Sequence, residues 1–452
     1  MRDAIKDFLD EVCSHVRFKA MHKDIRAELT GHIEELQKQG MSIENAVAAM
    51  GDCSEIGSRL DKQHRPQIEW TLIGLVAFIS IIGVVMMFWS NDPRLGSFER
   101  HIFWAIIGAT FATCCMFFDY TKIKKWATPL YILSVLFIIF GLITGSRING
   151  AMWVRIGSIS VSSSLIIVPF ILAFVGFMDR FRGERLWGII KLVFLGTISL
   201  FMMLLVPSMA NALILLVSYA VLLFIAVWKG HFEGNLRIQK ILLYAGSLLF
   251  VGLFAILIIS SPYRFDRIFS FITHSDPYGM SWQNVQLANL LSNSKWIGNI
   301  GAIDGYAPYY FLPDLTIEFA LVNVISTFGW VVGIALILSI VALIVRLFIV
   351  IRKVKYDFGF YLSTAACVIL SVQFIVSVLM NLGLFPITGL SLPFVSYGGS
   401  AYISNMALIG VILSVWRRNN IIGTSVKKQR EIKTSLFEYA DGKLIVNLKN
   451  IL

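Results

Sequence analysis

EWTLIGLVAFISIIGVVMMFW, residues 69–89, carries one charged group, at its first position, and none afterwards. An α-helix needs about 20 mostly apolar residues to cross the hydrocarbon core of a bilayer, and this stretch supplies them. Working outward, similar runs occur at 102–118, 125–144, 165–178, 186–206, 209–228, 241–260, 318–345, 358–383 and 401–416. The shortest of these, 165–178, contains Pro169. The expected fold is therefore an all-α polytopic membrane protein with about ten transmembrane helices. Composition agrees, since 57% of the 452 residues are hydrophobic and only 15% are charged. One water-soluble core of that length could not hide so much apolar surface.

Orientation follows from the basic residues in the short loops, which are retained on the cytoplasmic side. Alternate loops hold Lys122, Lys124 and Lys125, then Arg180, Arg182 and Arg185, then Lys229, Arg237 and Lys240, then Arg346, Arg352, Lys353 and Lys355. The other loops hold scattered bases, Arg94, Arg100, Arg147, Arg155, Arg264, Arg267 and Lys295. Both termini are thus expected to be cytoplasmic, as an even number of spans requires. The formal charge of +11 is mostly topogenic, suits anionic lipid head groups and gives no separate reason to expect nucleic acid. Cys13 and Cys53 fall in the cytoplasmic segment and Cys114, Cys115 and Cys367 within spans, so no exterior disulfide is expected. The first apolar run starts too late for a cleaved signal peptide.

Three regions are expected: a cytoplasmic helical prefix domain at 1–66, a membrane domain at 67–418 and a basic cytoplasmic tail at 419–452. In the first, Ile25, Leu29, Ile33 and Leu36 recur at helical spacing, Gly40 ends that helix, and Ser42 starts another. Such prefixes precede some bacterial permeases, and a folding or docking appendage is the plainest reading. Between spans, the loop from about 261 to 317 is long and rich in aromatics, including Trp282, Trp296, Tyr306, Tyr309, Tyr310 and Phe311. Those side chains suit packing at a membrane interface.

The most specific string is GLFPITGLSLPFVSYGGSA, residues 383–401, rich in glycine and free of charge. Backbone that irregular near a bilayer needs protein or a polar cavity around it. The string resembles the signature of the SEDS family, the bacterial RodA, FtsW and SpoVE proteins. Further resemblances are YRFDRIFSFITHSDPYGMSWQNVQ from Tyr263, FLPDLTIEF from Phe311 and NGAMWVRIGSISV from Asn149, which together cover most of 69–418. The resemblance implies a ten-helix glycosyltransferase of the bacterial cytoplasmic membrane. Such an enzyme polymerises lipid II into peptidoglycan at the outer face, in elongation, division or sporulation, and is usually partnered by a class B penicillin-binding protein.

That chemistry needs a base to deprotonate a sugar hydroxyl and cations for the departing diphosphate. By resemblance, the catalytic Asp of the family falls on Glu318, expected at the outer mouth of the eighth span, where a carboxylate is costly without a task, though an interfacial Glu reaching water explains it equally well. Asp314, four residues earlier, shares a face with it if the segment is helical; alternatively, Pro313 starts a helix and Asp314 sits in its first turn. Arg264 and Arg267 match the family's bases and suit forked contacts to diphosphate, though lipid head-group anchoring explains them nearly as well. Trp153, Arg155, Gln283, Ser396, Tyr397, Gly398, Gly399 and Ser400 complete the substrate-binding set that the resemblance implies. Structural turn-making explains the glycines equally well.

Departures from the family are concentrated at polar positions. Its QPSE appears as Ser162, Ser163, Ser164 and Leu165, a following Lys as Val168, and a Glu pair as Ser326 and Thr327, while Met152 adjoins Trp153 without the usual base. Hence a weakened SEDS-fold scaffold or regulator of a cell-wall synthesis complex is the main alternative, and a lipid-linked precursor transporter a further one. There is no GxxxxGK[ST] loop and no HExxH helix. His101 and His274 stand alone, so a protein metal centre is not expected; a divalent cation shared between a carboxylate and diphosphate is the one cofactor left open.

Overall fold

A computed structural model describes residues 2–63, 66–90, 97–148, 151–157, 159–206, 209–259, 262–273, 279, 281–301, 308–312, 314–434, 437–440 and 443–446. The chain forms two compact units. One comprises Met1–Glu69, Val354–Asp357 and Val415–Leu452; the other comprises Trp70–Lys353 and Phe358–Ser414.

In the first unit, α1 (Arg2–Ser14), α2 (His22–Lys38), α3 (Ile43–Met50) and α4 (Cys53–Gln63) are amphipathic helices. Their apolar faces meet in a core of Phe8, Val12, Val16, Ile25, Ile33 and Ala46. The Ser42 side chain accepts a hydrogen bond from the Asn45 amide, which caps α3 and fixes its start.

The second unit is built from long apolar helices: α5 (Trp70–Ser90), α6 (Ser97–Phe117) and α7 (Ile123–Thr144). A three-stranded antiparallel meander follows, β1 (Ser146–Ile148), β2 (Ala151–Ile156) and β3 (Ile159–Ser162). Period-two alternation places Met152 and Val154 against Gly141 of α7, while Trp153 is half-buried and Arg155 exposed. Next come α8 (Ile167–Arg180), extended backwards by a 3-10 turn from Ser163, α9 (Leu186–Leu205), α10 (Met209–Trp228) and α11 (Leu236–Ile259). The loop expected from 261 to 317 contains helices of its own: α12 (Pro262–Thr273), α13 (Trp282–Asn293) and the single turn α14 (Pro308–Phe311). Beyond it lie α15 (Ala320–Phe328), α16 (Trp330–Arg352), α17 (Asp357–Asn381) and α18 (Gly399–Thr434), and last an antiparallel pair, β4 (Phe437–Ala440) with β5 (Lys443–Val446).

Among the described residues, nine helices are long and apolar enough to cross a membrane. Eight of them coincide with expected runs, the ninth, Trp330–Arg352, overlaps only the later part of 318–345, and the remaining run, 241–260, falls on α11, part of whose side chains lie outside the described residues. The protein is a multi-pass, all-α membrane protein.

The expected run 318–345 is not one helix. It breaks at Gly329, whose φ of 95° and ψ of 169° only glycine adopts readily, and α15 before the break is short and buried through residues 320–327. Hydropathy is continuous across the break, so an apolar count cannot register it. Its consequence is that Glu318 precedes a buried half-length helix, and the span proper starts at Trp330.

Candidate functional site

Glu318 lies in a chain of turns from Asp314 to Glu318 that ends at Phe319, the residue before α15. The Asp314 carbonyl accepts hydrogen bonds from the amides of Ile317 at 2.9 Å and Glu318 at 3.0 Å. Asp314 has φ 59°, in the left-handed region that Asp tolerates better than most residues. The first-turn reading of Asp314 is thereby corrected, since it opens a chain of turns and not a helix, while the bond from the Glu318 amide keeps the four-residue spacing of a single α-turn. Pro313 lies outside the described residues.

Apolar side chains anchor this turn from below. Leu315 and Phe319 are buried in a cluster with Leu287 and Leu290 of α13, Leu312, Val322 of α15, Met380 of α17 and Ile387. Close packing of these side chains gives the polar turn a fixed apolar floor. From the side, the Tyr397 amide donates to the Thr316 carbonyl at 2.9 Å, joining the turn to the glycine-rich 383–401 segment. Gly389, at φ 75°, lies so close to the carboxyl that an added Cβ would stand 3.3 Å from Glu318 Oε1.

The Glu318 side chain keeps some accessible surface, yet dense packing surrounds its carboxyl. Burial, reinforced by the negative charge of Asp314 and opposed by Arg267 on α12, pushes its pKa up to about 7. A carboxyl tuned to that range is suited to taking a proton near neutral pH, the property a general base requires.

The other expected site residues divide into two groups. Arg267 is half-buried and acts on Glu318 by charge, and Tyr397 meets its turn through the backbone. Arg264 is on α12, but its side chain lies outside the described residues. Among the described residues, Trp153, Arg155 and Gln283 make no hydrogen bond or ion pair to the Glu318 turn; Trp153 pairs with Ser162 and Arg155 with Ser160 across the meander. Ser396 is buried and its Oγ accepts from the Leu392 amide at 2.7 Å, so it closes a turn. Gly398 leads into α18, and Gly399 leaves room for the Trp104 ring. Ser400 Oγ accepts from the Ser162 amide at 3.2 Å, tying the meander to the start of α18.

Asn381 and Gly389 both touch the Glu318 segment and were not singled out in the sequence. A lone Asn ending a long apolar helix was the signal available for the first. Ser326 and Thr327, at the family's Glu positions, are buried on α15 and hydrogen-bond to Asn323, which in turn bonds Ser90 of α5 at 3.1 Å. Neutral partners thus satisfy that region. Among the described residues, no group of three or more His, Cys, Asp or Glu side chains could hold a metal.

Comparison with known proteins places this geometry in context. A probable peptidoglycan glycosyltransferase FtsW of Trichlorobacter lovleyi is 24% identical over 370 residues, covering 77% of this chain and 93% of its own. A second, from Wigglesworthia glossinidia brevipalpis, is 28% identical over 304 residues, covering 65% and 76%. A solved chain from work on structural coordination of polymerization and crosslinking by a peptidoglycan synthase complex shares the fold, with a TM-score of 0.64 and 24% identity over 78% of this chain and 99% of that one. With the family's sequence pattern matched across residues 66–421, the chain belongs to the FtsW, RodA and SpoVE family of cell cycle proteins.

Proposed function

We propose that this protein is a peptidoglycan glycosyltransferase that polymerises lipid II at the outer face of the bacterial cytoplasmic membrane. The observation that carries the reading is a carboxyl packed against Gly389 in a turn held by the 383–401 segment, under the opposing charges of Asp314 and Arg267, at the position that by resemblance matches the family's catalytic Asp. In this reading Glu318 takes the proton of the attacking sugar hydroxyl, and Arg267 with Arg264 faces the diphosphate that leaves. A divalent cation, if used, would complete its shell with diphosphate, because Asp314 and Glu318 are too few to enclose it. The prefix at 1–66 is cytoplasmic in this arrangement, and the partner is a class B penicillin-binding protein.

The second reading, a weakened scaffold or regulator, draws on the neutral cluster of Ser326, Thr327, Asn323 and Ser90 where the family carries carboxylates. Purified protein with a cognate partner, given labelled lipid II, separates the two. Polymer from wild type that disappears in Glu318→Ala and persists in Asp314→Ala supports the base assignment. Absence of polymer from wild type favours the scaffold, and lipid II flipped across proteoliposomes without polymer favours a transporter.

Gly389→Ala bears on the same site. A side chain in the left-handed region costs about 1–2 kcal/mol, and the added methyl crowds the Glu318 carboxyl. Polymerisation per folded molecule is expected to fall about tenfold to a hundredfold. A rate unchanged in the folded variant would show that the contact with Gly389 does not matter to the chemistry.

A further inference from the structure

We infer that Asn381, the last residue of α17, is the positioning residue of the site, holding the Glu318 carbonyl and the first turn of α15 through one buried amide. The inference rests on reading Glu318 as the base. Asn381 is 0% exposed. Its Nδ2 donates to the Glu318 carbonyl at 3.0 Å and to the Ser377 carbonyl at 2.8 Å, while its Oδ1 accepts from the Val322 amide at 3.2 Å.

The bond to Ser377 lies within α17, whereas the other two cross to a different part of the chain. Val322 is the third residue of α15, and its amide belongs to the first helical turn, which has no acceptor within its own helix. Phe319, at the capping position, has no side-chain acceptor to offer, so Asn381 caps α15 from another helix. The same amide group holds the carbonyl of Glu318 itself. A buried bond of this kind is strong because no water competes for it, and losing it strands two backbone groups.

The neighbouring Met380 extends the arrangement. Its sulfur receives the Thr388 amide at 3.2 Å, one residue before the Gly389 that lies against the carboxyl. The end of α17 thereby holds the Glu318 backbone through Asn381 and the residue before Gly389 through Met380. Among the described residues, the charged groups acting on Glu318 are Asp314 of its own turn and Arg267 of α12; α13, α15 and residues 382–398 bring none.

The test is made on full-length Asn381→Leu and Asn381→Ala, with two readouts. One is carbodiimide modification of Glu318 against pH, followed by mass spectrometry on the monodisperse fraction, which requires no activity. The other is lipid II polymerisation. Freeing the turn admits water, so the labelling midpoint is expected to move from about 7 toward the ordinary carboxyl range by about one pH unit. The kcat is expected to drop about a hundredfold with little change in KM, since a shift on the order of 1 Å at the reacting group is enough for that. A midpoint unchanged in a folded variant overturns the inference. If neither variant folds, Asn381→Gln, which carries the same amide on a longer arm, must move the midpoint, and a wild-type value there overturns it equally. Wild type that yields no polymer would defeat the functional reading instead, while labelling would still judge Asn381.

Discussion

Glu318→Ala is expected to leave a folded membrane protein whose lipid II polymerisation is reduced by about a hundredfold to ten-thousandfold, the range for losing a positioned general base. Glu318→Gln should match it, because the amide keeps the size and loses the basicity. Glu318→Asp should fall between, since it retains the base on an arm one methylene shorter in a recess where Gly389 already faces the longer one. The pH dependence follows from the raised pKa. A base works only when ionised, so the rate should climb as pH rises through about 7 and level off above it. Stability should run the other way. The folded state holds this proton more tightly than the unfolded chain, whose carboxyl titrates near 4.5, so the group's contribution to stability declines as pH rises from about 4.5 to about 7 and is flat beyond. Glu318→Gln should remove both dependences, and a wild-type profile flat across this window would sink the assignment.

Gly329→Ala should produce the largest structural effect of any single methyl group. Its backbone lies in a region open in practice only to glycine, and a side chain there costs on the order of 1–3 kcal/mol before any clash. The added Cβ would also stand 2.5 Å from the Trp296 carbonyl and 2.8 Å from Ile297 Cα, backbone atoms that cannot swing aside. Together these predict a loss of about 3 kcal/mol or more, visible as a lower thermal midpoint in detergent. Gly298→Ala is the matching control. Gly298 has a φ of 91° but nothing within 4 Å of a built Cβ, so it should show the conformational cost without the overlap. Equal midpoints for the two variants would mean that the close approach at Gly329 is not what holds the break.

The spans were legible because lipid imposes one requirement, a run of apolar residues, and hydropathy measures that directly. Gly329 escaped for the same reason: α15 is as apolar as a span, and one glycine barely changes an average. The meander at Ser146–Ser162 escaped because its strands are short and alternate over only a few residues. Glu318 was found by resemblance, but its surroundings were not. Asn381 meets Val322 and Glu318 across 59 and 63 residues of sequence, and it meets them as backbone groups, which carry no residue-specific signal. Ser396, singled out for its hydroxyl, uses that hydroxyl to close its own loop.

The break at Gly329 also links parts of the molecule mechanically. The last carbonyls of α15, on Ser326 and Phe328, receive the amides of Ile300 and Gly298, while the amides of Trp330 and Val331 are bonded to the Lys295 and Trp296 carbonyls. The 295–300 strap therefore splints the interruption from both sides, and lifting it would uncap α15 at the end opposite Glu318. Strap and half-helix are thus bonded into one element. The exposed Trp296 and Ile297 sit on this strap, so a partner that grips them would also hold the end of α15 opposite Glu318.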